Sequence, residues 1–190
     1  MNPFKRGAAP PELVERGAGA TEAFVARRQR DPSARFEWPR GLYPVLRSAL
    51  GALTLEHCAY CDGFPIDTTG TKEIDHFRPK SRFPAEAFDW VNLYLTCNAC
   101  NGEKGEAWSQ HLLRPDDPSY AFERYFMIDA LTGRVKANPA ASEADQKRAD
   151  ETIRTFGLQR DGLCIARRMA IASKERQAGD PHRPYRFLEP

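Results

Sequence analysis

The chain has no apolar run approaching the roughly 18 residues of a membrane-spanning helix, and no apolar core of signal-peptide length near its start. Both absences predict a cytoplasmic protein with no membrane partner. It also lacks a strong charge of either sign. With 28 Lys and Arg against 26 Asp and Glu, the net charge is +2. A global electrostatic pull on nucleic acid is therefore excluded, and a local basic patch would have to provide any such attraction. No internal repeat is visible. Cysteine is sparse, but four of the five thiols fall into two pairs. In a reducing compartment that spacing fits a metal better than disulfides.

At 190 residues and 41% apolar composition, the sequence supports one domain with appendages and a modest core. Residues 1–19 are rich in Gly, Pro and Arg and are read as an irregular arm. Thr21 is placed as the cap of a short helix running to about Gln29. Residues 31–40 form a Pro-containing connector. Apolar residues from Leu42 to Leu53 recur at helical spacing, which predicts a helix over 41–55 with Pro44 in its first turn. Phe126–Asp129 and Arg134–Lys136 flank a Thr132-Gly133 turn signal and read as a hairpin. Ser142 with Asp145 opens a helix ending near Gly157, and a further helix is expected over 160–177. The Pro-rich, aromatic tail from Asp180 is read, with residues 1–19, as a docking arm. The expected organisation is an arm and short helix over 1–40, a core over 41–112, and a hairpin with a helical extension over 113–190.

The chemistry concentrates between Cys58 and Trp108. Cys58-Ala-Tyr-Cys61 and Cys97-Asn-Ala-Cys100 are two knuckles. In each, a Cys-x-x-Cys turn aims two thiolates at one ion, so together they complete a closed tetrahedral shell. The expected ion is a structural Zn2+ bound by Cys58, Cys61, Cys97 and Cys100. The rival reading is four buried or redox-active cysteines. Cys164, alone in an expected helix, is read as a small core residue, and His57, next to Cys58, is weighed and set aside as a further ligand.

Between the knuckles, Lys72–Asp75 reads as a strand, Leu93–Thr96 as its partner, and Asn98–Trp108 as a helix. Phosphodiester hydrolysis needs a base for water, a cation near the leaving oxygen, and a grip on the phosphate. His76 suits the base. Asp75 and Asn101 offer hard oxygen to Mg2+ or Mn2+. Asn92 is expected to fix the His76 ring, and Arg78, Lys80 and Lys104 to hold phosphates. Each residue alone has a blander reading as a turn, cap or solvated loop. Glu73 is open between site and solvent. Asp116 and Asp117 suit a turn better than a second cation, and His111 suits the surface. Phe77, Phe83, Phe88 and Trp90 are expected to fill the small core under the long loop.

As a set, Asp75-His76, Asn92-Leu93 and Cys100-Asn101-x-x-Lys104, framed by the cysteine pairs, resemble the HNH endonuclease signature on a ββα-metal fold, an α+β class. That resemblance implies that His76 is the general base, that Asp75 and Asn101 hold the catalytic divalent ion, and that Asn92 orients the base. Asn101 stands where some members carry His, which favours Mg2+ or Mn2+. The opening Asn2-Pro3-Phe4-Lys5-Arg6-Gly7, the Ile74–Ser81 phrase, Pro115–Pro118 and Thr152–Arg160 resemble, more narrowly, the HNH subunit of Septu-type and retron-associated anti-phage systems. Phe156 departs from that pattern, in which Leu or another apolar residue is expected. The resemblance implies an ABC-type ATPase partner and a DNA or RNA substrate. The rival function is a non-catalytic zinc module that binds nucleic acid or a protein.

Overall fold

The computed structural model describes residues 1–68, 70–173 and 179–188. The first long element is not an arm but a helix, α1, Pro11–Arg30. Pro11 opens it with Glu12 in the first turn, and Arg27, Arg28 and Arg30 close it, the charge order that a helix dipole favours. Gly17 and Gly19 argued against a helix, since glycine costs about 1 kcal/mol relative to alanine in a helix interior. Tertiary packing overrides this. The helix buries Leu13, Gly17 and Phe24, and a Cβ at Gly17 would lie 3.2 Å from Leu13 and in ordinary contact, 3.8 Å, with the Phe88 Cβ.

Gly41 adopts a left-handed φ of 79° and starts α2, Leu42–Thr54, which buries Leu42, Leu46 and Leu50 along one stripe. A long segment then carries the first cysteine pair to β1, Lys72–His76. Its partner β2, Leu93–Cys97, runs antiparallel, with His76 opposite Leu93 and Lys72 opposite Cys97. Short 3₁₀ turns at Pro84–Glu86 and Trp90–Asn92 shape the loop between them. The helix α3, Asn98–Lys104, follows β2 directly. It ends four residues short of the expected Trp108 because Gly105 turns away at φ 49°.

A short helix α4, Phe122–Tyr125, leads into the hairpin β3, Phe126–Asp129, and β4, Arg134–Ala137. Ser142 Oγ accepts the Asp145 amide at 3.1 Å and caps α5, Glu143–Thr155. The last helix is α6, Asp161–Ala172; the rest of the 160–177 expectation lies largely outside the described residues. The layout is α+β, with β1, β2 and α3 as a ββα unit braced by the other helices.

Among the described residues, both terminal segments expected to be irregular docking arms pack back onto the domain. Phe4 N donates to Pro115 O at 3.0 Å, and Tyr185 and Phe187 are buried. Arg186 donates to the buried Asp62 carboxylate through its amide, at 2.5 Å, and through its guanidinium, at 2.5 Å, pinning the tail beside the first knuckle. Among the described residues no helix is long and apolar enough to cross a membrane.

Candidate active site

Cys58 and Cys61 lie in a turn before the sheet, Cys97 ends β2 and Cys100 sits in α3. The four sulfurs lie within 4.8 Å of one another, with Cys61 Sγ 4.0 Å from Cys97 Sγ. A tetrahedral ion with sulfur ligands at about 2.3 Å needs edges of about 3.8 Å, so the cluster is already close to that shape. Backbone amides face the sulfurs: Cys97 N lies 3.3 Å from Cys58 Sγ, and Cys100 N 3.5 Å from Cys97 Sγ. Arg160 Nη2 lies 3.2 Å from Cys100 Sγ and places positive charge beside the four cysteines. The cluster can hold one metal ion, and its donor set is soft and closed. His57 is not a ligand. Its ring nitrogens face the carbonyls of Thr54, Leu55 and Arg183, at 3.1, 2.7 and 2.8 Å.

A separate cleft of about 330 Å³ opens where the end of β1 meets α3. Glu73, Asp75, His76, Lys80 and Asn101 line it. Glu73 thus faces the site. It accepts from Asn101 Nδ2 at 2.5 Å, leaving Asn101 Oδ1 as the atom able to ligate a cation. Asp75 is 5% exposed and accepts from Tyr60 Oη at 2.5 Å and Lys104 Nζ at 3.0 Å. Burial pushes its carboxyl above the usual range, opposed by the Lys104 charge and the Tyr60 hydroxyl. These hard oxygens suit Mg2+ or Mn2+ rather than a thiophilic metal.

His76 Nε2 lies 2.9 Å from Ala87 O. A carbonyl only accepts, so Nε2 carries the proton and Nδ1 keeps its lone pair. Trp38 stacks on the ring at 5.6 Å and Phe36 meets it edge-on at 5.1 Å. Burial, followed by the Lys80 charge, pushes the imidazole pKa down to about 3. The ring is therefore neutral, with one basic nitrogen, throughout the physiological range.

Three expectations need correction. Asn92 does not touch the His76 ring. Its Oδ1 accepts Arg78 N at 2.7 Å, and its Nδ2 donates to Arg78 O at 3.1 Å and Glu86 O at 3.0 Å. It clamps the loop that carries Ala87, and Ala87 holds the ring. Lys104 is not placed to meet phosphate. It is 2% exposed, and Nζ also donates to His76 O at 2.7 Å, because a buried carboxylate and a strand-end carbonyl recruit its charge inward. Arg78 is committed to Glu86 at 2.5 Å and lies over the Phe83 and Trp108 rings at 3.9 and 4.8 Å. Only Lys80 of the three lines the cleft. Asp116 holds no cation position either: it is buried between Arg6 and Arg114. His111 is exposed. Phe77 and Phe88 are core residues, whereas Phe83 pairs with Trp108 and Trp90 is only partly buried.

Sequence reasoning missed Phe36, Trp38 and Tyr60 as parts of the site. The first two sit in a connector with no periodicity, and Tyr60 looked like filler between two cysteines. Phe156, the departure noted above, stacks on Tyr60 at 3.9 Å and so backs the hydroxyl that holds Asp75.

Residues 58–107, about a quarter of the chain, match the family model for HNH endonuclease. The chain is also similar to the Septu protein PtuB of Bacillus thuringiensis, with 28% identity over 120 residues. That alignment covers 61% of this chain and 43% of the relative, so the chain spans less than half the length of the relative it matches.

Proposed function

We propose that the protein is a metal-dependent nuclease of an anti-phage defence system, with His76 as general base and Asp75 and Asn101 as ligands of one Mg2+ or Mn2+ ion. The observation that carries this reading is the buried His76 ring, held through Nε2 so that Nδ1 is the base, beside a cleft lined by Glu73, Asp75 and Asn101. A divalent cation held there by Asp75 and Asn101 would supply charge stabilisation at the leaving oxygen. His76 Nδ1 takes a proton from the attacking water. Asn92 holds the loop that fixes the ring, Lys104 balances Asp75, and Lys80 meets a substrate phosphate. Arg78 supports the loop wall through Glu86 and the aromatic pair.

The four-cysteine site is read as structural Zn2+, in the cytoplasm, where thiols stay reduced. Residues 41–112 form the working core, with 1–40 and 113–190 as its supports. The similarity to the Septu protein PtuB, together with the resemblance in the opening and Thr152–Arg160 motifs, supports an ABC-type ATPase partner and a DNA or RNA substrate.

The test is nicking of supercoiled plasmid and of tRNA by wild type and His76→Ala at matched zinc content. It is run with Mg2+ or Mn2+, and with and without the product of the neighbouring gene. His76→Ala should lose about 10²–10⁴-fold in rate while keeping its fold and its affinity for nucleic acid. Cleavage by His76→Ala at the wild-type rate would remove the mechanism and favour a non-catalytic binding module.

A further inference from the structure

We infer that Arg6 and Arg114, two side chains outside the matched domain segment, are positioning residues that set Asn92 and, through it, His76. This inference rests on the nuclease reading above. Asn92 ends a single 3₁₀ turn, Trp90–Asn92. Such turns have poor internal hydrogen bonds and rely on outside partners. Here the partners are unusually complete. Arg6 Nη1 donates to Trp90 O at 2.8 Å and Leu93 O at 3.0 Å. Arg114 Nη2 donates to Val91 O at 2.7 Å. The Asn92 carbonyl accepts Phe77 N at 2.9 Å. Four consecutive carbonyls, 90 to 93, are therefore held, three of them by guanidinium groups.

The guanidinium groups are themselves fixed. Asp116, its side chain 4% exposed, lies 2.6 Å from Arg6 Nε and 3.2 Å from Arg114 Nη2. Tyr94 Oη donates to Asp116 at 2.5 Å and accepts from Arg114 Nε at 2.9 Å. The Arg6 guanidinium also lies 4.6 Å from the Tyr94 ring centre. A shift in either arginine takes donors from the Trp90, Val91 or Leu93 carbonyls, the first and last of them part-buried, and releases the turn. The displacement passes from Asn92 to Arg78 and Glu86, and from that loop to Ala87, the acceptor that orients the base. A misplacement of about 1 Å at such a remove can cost up to about 10²-fold in rate.

The test uses the full chain with Arg6→Gln, Arg114→Gln and Asn92→Ala, plus the double variant Arg6→Gln/Asn92→Ala. Each single variant should lower kcat for plasmid or tRNA nicking by about 10- to 100-fold, leaving KM and zinc content close to wild type. The double variant should be no slower than Asn92→Ala alone, because both act through one turn. Multiplying losses would assign Arg6 a merely structural role and overturn the inference.

Hydrogen–deuterium exchange gives a readout independent of cleavage. Arg6→Gln and Arg114→Gln should each speed exchange of the Phe77 and Arg78 amides by at least about tenfold, with the 126–137 hairpin unaffected. Unchanged protection at Phe77 and Arg78 would overturn the inference even if His76→Ala is inactive. Faster exchange with no effect of His76→Ala on cleavage would instead sink the nuclease reading and leave the scaffold in place. Arg6→Lys, which keeps one charge but not the paired donors, is the control if Arg6→Gln fails to fold; it should show the same faster exchange.

Discussion

The Lys104 ammonium lies 3.0 Å from Asp75 Oδ1, and both side chains are almost wholly withdrawn from water, at 1% and 6% exposure. A cation buried beside a carboxylate is a structural partner, not a phosphate hook. Removing one member of a buried pair typically costs about 3–5 kcal/mol, because the other charge is left unpaired. Lys104→Met is expected to destabilise the fold on that scale in urea unfolding. It should leave the salt dependence of nucleic-acid binding unchanged. A stable variant with a flatter salt slope would return Lys104 to the substrate surface.

Lys80 should behave in the opposite way. It lines the cleft beside His76 and Asn101. Lys80→Gln is expected to weaken binding across sequences and to reduce the slope of log affinity against log salt by about one charge. Thermal stability should stay within about 0.5 kcal/mol of wild type. Titration of duplex DNA and tRNA at several salt concentrations reads the slope directly.

One zinc ion per chain is expected in protein purified without added metal. Cys97→Ser should lose it together with several degrees of thermal stability. The reason is geometric: Cys97 closes β2 and caps α3 through the Cys100 amide. Elemental analysis and calorimetry of the same preparation decide the matter. Unchanged zinc content and unchanged melting would remove the assignment.

Acid should weaken the Asp116 network in a defined window. Burial raises the Asp116 pKa, but Arg6, Tyr94 and Arg114 outweigh it, so the carboxyl sits below its ordinary value. The unfolded chain therefore binds a proton at Asp116 before the folded chain does. Its contribution is fully present above the ordinary carboxylate pKa, near 4, and is lost as pH falls through the lower folded value. The stability gap between wild type and Asp116→Asn should be widest near pH 6 and should narrow toward pH 3. Urea unfolding of both proteins at matched zinc content measures it, and a constant gap would contradict the assignment.

The sheet, the knuckles and α2 were legible because their signals are local. A Cys-x-x-Cys turn, a leucine stripe and the Asp75-His76 strand end each declare themselves within a few residues. Asp75, His76, Lys80 and Asn101, singled out from local motifs, line one cleft, whereas Glu73 was left open between site and solvent. The α1 helix was not legible, because the burial of Leu13, Gly17 and Phe24 that offsets its glycines is made against distant parts of the chain, the Pro84–Glu86 turn among them. The role of Lys104 was hidden because sequence shows a charge but not its burial. Phe36 and Trp38 gave no signal at all: nothing in a proline-broken connector announces that its rings will wall a histidine far along the chain.

The supports of the cleft have a bearing on how such a domain can move between proteins. Phe36 and Trp38 precede the matched segment and Phe156 follows it, yet the first two pack on His76 and the third backs Tyr60. Residues 58–107 are therefore not a portable cassette. A fusion that carried the motif alone into a new scaffold would transfer the four clustered thiols and the residues proposed for the chemistry. It would leave behind the aromatic wall packed on the imidazole, so inheritance of this histidine's environment requires inheritance of the flanks.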